Sequence, residues 1–384
     1  MTTSVESDPA NATPPAPVDS AATPPTVRRR AAFHLLKVAD LDYITDDAVA
    51  ITFEVPEHLR EEFRFIAGQH LSLRCTIAGD DVRRNYSICV PATSGKLRVG
   101  VKRLAGGVFS SYAMERLRVG DTLEVLTPSG RFFTPLDPTQ TKHYGAVAAG
   151  SGITPVLSII STALEVEPQS RATLIFANRT TASIMFLEEL EDLKNKYMGR
   201  FQMVHVLDAE LQDAELLSGR LDAERLTGIL ERLIPGDDVD DWFLCGPRPM
   251  TDSVRDVLLG RGVDDEHIHR ELFHADAAPP KQRLDVDVAA DTGAEVTVVL
   301  DGRGTSFKLP PNTIPVLDAA LRLRGDAPFA CKNGVCGTCR AKLVEGTVDM
   351  AQNYALEKDE LANGYVLACQ AYPTSDRMVL DFDQ

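Results

Sequence analysis

Apolar and polar residues alternate along the first folded part of the chain. The alternation runs through "DAVAITFEV", "QHLSLRCT", "NYSICV", "LRVGVKR" and "TLEVLTP", each bounded by turn residues. Period-2 patterning in short segments at this spacing is typical of a small antiparallel barrel or sandwich. One helical segment at residues 109–117 interrupts the strands, and Ser110 or Ser111 is expected to cap its first turn. We predict an antiparallel β-barrel domain over residues 31–137.

From His143 onward the pattern changes to strand, then helix, then strand. Apolar runs such as "YGAVAAG", "ATLIFAN", "FQMVHVL" and "DWFLCG" alternate with helical segments such as "PVLSIISTAL" and "MTDSVRDVLLG". This order predicts right-handed βαβ units on a parallel sheet, with a nucleotide site at the carboxyl ends of the strands. We predict an α/β parallel-sheet domain over residues 138–274.

Two polar segments flank or separate these units. Residues 1–30 are rich in Pro, Ala, Thr and Ser and are predicted to be a disordered tail, and residues 275–293 are predicted to be a linker. After the linker, the strands "EVTVVLD" and "TSFKLP", the helix "TIPVLDAALRL" and the strand "MVLDF" indicate an α+β domain over residues 294–384.

Composition narrows the possible partners. The chain is 44% hydrophobic and 25% charged, and its apolar runs are shorter than the roughly 18 residues that a membrane span needs. A formal net charge of −16 argues against nucleic-acid binding, which requires a basic surface. Arg28, Arg29 and Arg30 resemble a targeting signal, but no apolar segment follows them, so a solvated basic hinge is the simpler interpretation. We therefore predict a cytoplasmic protein that binds neither membrane nor nucleic acid.

The segment "CKNGVCGTC" concentrates three of the seven cysteines. Cys331, Cys336 and Cys339 are spaced C-x4-C-x2-C, and Cys369 supplies a fourth thiol. A four-cysteine zinc site usually pairs two C-x2-C units, whereas this spacing is that of plant-type 2Fe-2S proteins. The pattern favours a 2Fe-2S cluster over zinc or free thiols.

The barrel region carries a candidate flavin site. In "RNYS", a strand ends in a cation, an aromatic ring and a hydroxyl group, and "VKRLAGGVFS" then leads through glycines into a helix whose first N–H groups can bind an anion. An ordinary barrel strand would explain "RNYS" alone, but the two segments together indicate an FAD site, with Arg84 for the pyrophosphate and Tyr86 for the ring system. The predicted contacts are Arg84, Tyr86, Ser87, Val101, Lys102, Gly107 and Ser110.

Two turns of the α/β region indicate a nicotinamide dinucleotide. "GSGITP" and "CGPRPM" each follow a strand and open a helix, which is the context that gives such motifs weight. The alternative for Cys245 is a small buried packing residue. The predicted contacts are Gly150, Gly152, Thr154, Pro155, Cys245, Gly246, Pro247 and Met250.

The choice between NADPH and NADH depends on Arg179. The segment "ANRTT" lacks the acidic residue that binds an NAD ribose, and Arg179 could bind a 2′-phosphate. Arg179 could equally be a solvated loop charge, so the sequence slightly favours NADPH and does not exclude NADH.

Together these motifs resemble the ferredoxin–NADP reductase superfamily, in the branch that carries a C-terminal plant-type ferredoxin. The resemblance runs from about residue 33 to the end. It implies the domain order FAD, NAD(P) and β-grasp ferredoxin, and a multidomain NAD(P)H oxidoreductase. "RFIAGQHLSLR", "RRNYSIC", "VKRLAGGVFSSYA" and "ANRTTASIMF" are most similar to the reductase components of phenylacetyl-CoA epoxidases, and the reductases of 3-ketosteroid 9α-hydroxylases are the close competitor.

The resemblance implies a partner as well as cofactors. In the first family the partner is a di-iron epoxidase of phenylacetate degradation, and in the second it is a Rieske oxygenase. A reductase must convert two-electron hydride transfer into single-electron delivery, and FAD with a 2Fe-2S cluster can do this. A redox-sensing interaction module and a stand-alone oxidase are the alternatives of other classes.

Overall fold

In a computed structural model of the chain, the described residues are 33–234, 238–273, 293–310 and 313–384. The predicted tail, residues 1–30, and the predicted linker, apart from Gly293, lie outside these ranges. Among the helices within them, none is both long and apolar enough to cross a membrane.

The first sheet is an antiparallel half-barrel. Its strands and the helix between the last two are β1 (Phe33–Thr45), β2 (Ala48–Glu54), β3 (His70–Ile77), β4 (Asp80–Ser87), β5 (Leu97–Lys102), α1 (Val108–Glu115) and β6 (Thr122–Leu126). The order across the sheet is β4–β3–β6–β1–β2–β5. A bridge between Ile88 and Val99 joins the two edge strands, so the sheet curves around one apolar core.

Helix α1 begins differently from the prediction. It starts at Val108 with Gly107 as N-cap and without a side-chain cap, so the expected cap from Ser110 or Ser111 is wrong. The Ser110 hydroxyl instead donates to the carbonyl oxygen of Gly107 at 3.2 Å and accepts from the backbone N–H of Leu104 at 3.1 Å. This serine therefore stabilises the turn before the helix.

The second sheet is parallel, as predicted. Its elements are β7 (His143–Ala149), α2 (Ile153–Val166), β8 (Arg171–Asn178), α3 (Leu187–Lys196), β9 (Phe201–Leu207), α4 (Ala223–Arg232), β10 (Asp241–Cys245), α5 (Arg248–Gly260) and β11 (Ile268–Glu271). The order is β11–β10–β7–β8–β9. The chain therefore turns back across the sheet between β7 and β10, and ligands bind α/β sheets in the crevice at such a reversal.

The third sheet is mixed and packs on a short helix. Its elements are β12 (Ala294–Leu300), β13 (Arg303–Leu309), α6 (Val316–Leu321), β14 (Arg340–Glu345), β15 (Val348–Met350), α7 (Lys358–Ala362), β16 (Tyr365–Leu367), β17 (Ala371–Pro373) and β18 (Arg377–Asp381). The main sheet has the order β13–β12–β18–β14–β16, with β12 and β18 parallel, and β15 pairs with β17. The loop between α6 and β14 carries three of the four predicted cluster cysteines. The three large sheets confirm the predicted multidomain fold class.

Candidate functional site

The two glycine-containing turns meet at the reversal between β7 and β10. Gly150 has a φ of 53°, a backbone conformation that favours glycine. A Cβ atom on Gly152 would lie 2.0 Å from the carbonyl oxygen of Cys245, so the two turns can touch only because residue 152 has no side chain. Gly246 is less confined, because a Cβ atom there would lie 2.6 Å from Cε of Met250, the end of a flexible side chain. Two motifs far apart in the chain thus form one surface.

Two of the predicted nucleotide residues are buried beneath this surface. Thr154 is 1% exposed, and its hydroxyl donates to the carbonyl oxygen of Ser151 at 2.9 Å. Its methyl group packs against Gly100 of β5, where a Cβ atom would come within 2.7 Å of it. Pro155 is buried beside it. The start of α2 is therefore fixed against the barrel, and Thr154 and Pro155 shape the turn from below.

The barrel side of the site brings β4 and the start of α1 together. The ring of Tyr86 lies 5.3 Å from the ring of Phe109, between centroids, and Phe109 is in the first turn of α1. Arg84 lies on the same face of β4 as Tyr86 and is exposed. An exposed guanidinium on the strand that contacts this helix start through Tyr86 fits a pyrophosphate bound at the first N–H groups of α1, and the half-buried Tyr86 offers an aromatic face.

Three other predicted flavin contacts have side chains already engaged. Val101 is fully buried in the barrel core, so only its backbone remains available to a cofactor. The ammonium group of Lys102 pairs with Asp47 at 3.2 Å. Ser110 is bonded within its own turn, as described above, which leaves its backbone N–H for an anion. The side chains of these three residues therefore stabilise the barrel and the turn before α1 more than they line the cofactor site.

A partly buried carboxyl group that the sequence analysis missed joins the two halves of the site. The hydroxyl of Ser87 donates to Oε2 of Glu271 at 3.0 Å. Glu271 ends β11 and is the register partner of Cys245 on β10. Ser87 from the barrel and Cys245 from the parallel sheet therefore meet at this carboxyl group. The segment "IHRELF" could have indicated Glu271, because the last residue of a parallel strand lies at the ligand-binding edge of the sheet.

Burial makes this junction electrically neutral. It raises the pKa of Glu271 to about 8, although the Ser87 hydrogen bond opposes the rise. It also lowers the pKa of His70 to about 4. His70 Nδ1 and Glu271 Oε1 are 4.0 Å apart, but with these shifts the two groups are both uncharged at neutral pH, not an ion pair. Burial and the nearby Glu271 likewise raise the pKa of the Cys245 thiol, which stays protonated.

Arg179 lies exposed at the carboxyl end of β8, near an acidic neighbour that the sequence analysis did not consider. The backbone N–H and hydroxyl of Thr181 donate to the carboxylate of Glu210 at 2.7 and 2.8 Å. These bonds lower the pKa of Glu210, so it is ionised at neutral pH. A cation and an anion thus flank the edge where a nucleotide ribose would lie.

The four predicted cluster cysteines converge as two thiol pairs. Cys331 lies near Cys336 and Cys339 near Cys369, close enough that Cys336 lowers the pKa of Cys331 and Cys369 raises the pKa of Cys339. In the part of the chain that the structure describes, no group of three or more His, Cys, Asp or Glu side chains is arranged around one metal ion. Two linked pairs are instead the donor set of a two-iron cluster, in which four thiolates bind two irons.

The loop around these thiols fits a cluster in its backbone as well. Gly334 and Gly337 have φ values of 76° and 66°, which bring backbone N–H groups toward sulfur. The N–H of Asn333 donates to the sulfur of Cys331 at 3.3 Å. The neighbouring Cys336 thiol and nearby backbone N–H groups lower the pKa of the Cys331 thiol to about 6, so it readily forms the thiolate that iron requires.

Comparison with known proteins agrees with these sites. Three family models match: an oxidoreductase FAD-binding domain at residues 35–133, an oxidoreductase NAD-binding domain at 146–256 and a 2Fe-2S iron–sulfur cluster binding domain at 298–374. The chain is 46% identical to one component of the 1,2-phenylacetyl-CoA epoxidase from Escherichia coli (strain K12), over 91% of this chain and 98% of that protein. The chain belongs to the ferredoxin reductase family of oxygenase components.

Other relatives place the reductase in the same family. It is 34% identical to the ferredoxin reductase component of 3-ketosteroid-9-alpha-monooxygenase from Mycobacterium tuberculosis, over 91% of this chain and 96% of that one. Its fold is similar to that of phthalate dioxygenase reductase, with a TM-score of 0.56 and 25% identity over 91% of this chain and 98% of that one. The reductase therefore uses FAD, a pyridine nucleotide and a 2Fe-2S cluster, and its partner is an oxygenase.

Proposed function

We propose that this reductase takes electrons from NADPH and delivers them, through FAD and the 2Fe-2S cluster, to a di-iron oxygenase that epoxidises phenylacetyl-CoA. FAD, when bound, accepts electrons in pairs and releases them singly, and the cluster carries one electron at a time. The observation that supports the partner best is the 46% identity to the epoxidase component over nearly the full length of both proteins.

The protein's own part in this function is to bind and orient. We propose domains at residues 31–137, 138–274 and 294–384, with the cofactors held at the sites described above. Arg84 and the first N–H groups of α1 hold the flavin pyrophosphate, and the turns at Gly150 and Cys245 hold the nucleotide. Ser87 and the protonated Glu271 place neutral hydrogen-bonding groups where the two sites meet, so no fixed charge there opposes hydride transfer.

The preference for NADPH rests on Arg179. Its guanidinium is exposed at the edge of the sheet where a 2′-phosphate would lie. The negative charge of Glu210 is already bonded to Thr181, which weakens its repulsion of a phosphate. We assign the reductase to the cytoplasm, where NADPH is available and where the thiols, all seven of which are free in the structure, stay reduced.

Reconstitution with two candidate oxygenases tests the partner. The reductase is mixed with a di-iron phenylacetyl-CoA epoxidase and, separately, with the Rieske oxygenase of 3-ketosteroid 9α-hydroxylation, which the 34% identity makes the second candidate. We expect NADPH consumption in step with epoxide formation in the first mixture only. Coupled turnover in the Rieske mixture alone would transfer the function to that class, and coupling in neither would refute both partners.

A further inference from the structure

Strand β4 contacts the third sheet through Asn85, a residue between two predicted flavin contacts that points to the opposite face of the strand. The carboxamide oxygen of Asn85 accepts from the hydroxyl of Ser72 at 2.7 Å. Its amide nitrogen lies 3.0 Å from Nε2 of His70 and 3.4 Å from the hydroxyl oxygen of Thr338. The amide has two hydrogens, so it can donate to both groups, and the side chain is held from both ends.

Thr338 lies inside the cluster loop, which we define as residues 331–339. Its hydroxyl accepts from the amide nitrogen of Asn85, and the next residue in the chain is the predicted cluster ligand Cys339. One hydrogen bond therefore connects the flavin strand to the neighbour of a predicted cluster ligand.

A buried cation beside Asn85 shows that this contact belongs to a packed junction. Arg83 is 4% exposed, and its guanidinium carbon lies 4.0 Å from the ring centroid of Phe329. The same guanidinium donates to the carbonyl oxygen of Gly325 at 3.4 Å and pairs with Asp81 at 3.0 Å. A desolvated arginine costs free energy unless it is paired and stacked, and here its partners come from both sides of the junction.

We propose that Asn85 is a positioning residue that fixes the cluster loop on strand β4, so that the cluster lies in register with the flavin site. The proposal rests on the proposed function, because it assumes that electrons leave through the cluster. Electron delivery depends on a fixed separation of donor and acceptor, and a small displacement of a reacting group can cost a large factor in rate. A single side chain bonded to the loop supplies that constraint.

The test uses Asn85→Ala, Thr338→Val and the double variant in the holoprotein. Thr297→Val is the matched control, because its hydroxyl bonds to Ser306 on the exposed face of the sheet. Amide hydrogen exchange of residues 331–339 measures how firmly the loop is held. NADPH-driven rates are recorded with two acceptors, one whose reduction is lost in Cys336→Ser and one whose reduction survives that change.

We expect Asn85→Ala to speed exchange in the cluster loop and to slow the cluster-dependent acceptor about tenfold, because the loop loses the bond that holds Thr338. The cluster-independent acceptor should be unaffected, and the double variant should be no slower than the slower single variant, because both changes break the same bond between Asn85 and Thr338.

Two results would overturn the inference. One is unchanged loop exchange in Asn85→Ala, and the other is a double variant whose two effects multiply. Failure of the proposed function looks different, because Cys336→Ser would then leave both acceptors reduced. The exchange measurement still decides the role of Asn85 in that case.

Discussion

Replacing Glu271 should change how the stability of the parallel sheet depends on pH. Burial raises the pKa of this carboxyl from 4.5 to about 8. The folded protein therefore keeps a proton that the unfolded chain releases above pH 4.5, and the free energy of unfolding falls as the pH rises from 4.5 toward 8. Glu271→Gln mimics the protonated form and removes this dependence.

The size of the effect follows from the two pKa shifts at the junction. A group protonated when folded and ionised when unfolded costs about 1.4 kcal/mol of stability per pH unit. His70, whose pKa burial lowers from 6.5 to about 4, opposes this trend only below pH 6.5. Between pH 6.5 and 8, Glu271 should therefore lower the free energy of unfolding by about 2 kcal/mol.

Urea unfolding of the holoprotein across that pH interval measures the effect. Trp242, the single tryptophan, lies on β10 next to β11 and reports on this sheet by fluorescence. Groups that titrate in this interval elsewhere, such as the Cys331 thiol, affect all variants alike. Relative to Glu271→Gln, the wild type and the control Glu266→Gln, which removes an exposed charge close to β11, should therefore each lose about 2 kcal/mol more between pH 6.5 and 8. An equal pH dependence in Glu271→Gln and the wild type would refute a protonated Glu271.

Three further substitutions test the sites. Gly152→Ala puts a methyl group 2.0 Å from the Cys245 carbonyl oxygen, so it should raise KM for NADPH and lower the free energy of unfolding by about 1–3 kcal/mol. Gly199→Ala is the control, because a methyl group there meets nothing within 4 Å. Equal KM values in the two variants would contradict the contact. Arg179→Ala should lower kcat/KM for NADPH about tenfold, which is the effect of losing a charge-assisted hydrogen bond, and should leave kcat/KM for NADH unchanged. If the ratio of the two kcat/KM values stays the same, Arg179 does not contact a phosphate. Gly334→Ala, at a φ of 76°, should reduce the iron bound per chain, and full occupancy would show that the loop tolerates a side chain.

Patterns within single segments predicted most of the fold. The period-2 alternation placed the barrel strands, and the strand–helix order placed the parallel sheet whose carboxyl edge carries Gly150 and Cys245. The cap of α1 was wrong because a serine near a helix start has two uses. Its hydroxyl can cap the helix or bond to the preceding turn, and Ser110 does the second.

Contacts between distant segments could not be predicted from the sequence. Glu271 gains its significance from burial and from its position opposite Cys245, which depend on strand register and on the packing of the barrel against β11. The bond from Asn85 to Thr338 joins residues 253 positions apart, and each looks like an ordinary polar residue in its own motif. The motifs identify the cofactors, whereas the register and packing determine how their sites meet.

We propose that electrons leave this reductase through the cluster held by Cys331, Cys336, Cys339 and Cys369. The most direct test of this route compares Cys336→Ser with Cys75→Ser, which changes a half-buried cysteine of the barrel. Both variants are supplied with NADPH, and reduction of the flavin and of the partner oxygenase is followed in each. We expect the flavin of Cys336→Ser to be reduced and its partner oxygenase to stay oxidised, whereas Cys75→Ser should reduce both. Undiminished reduction of the oxygenase by Cys336→Ser would contradict this route.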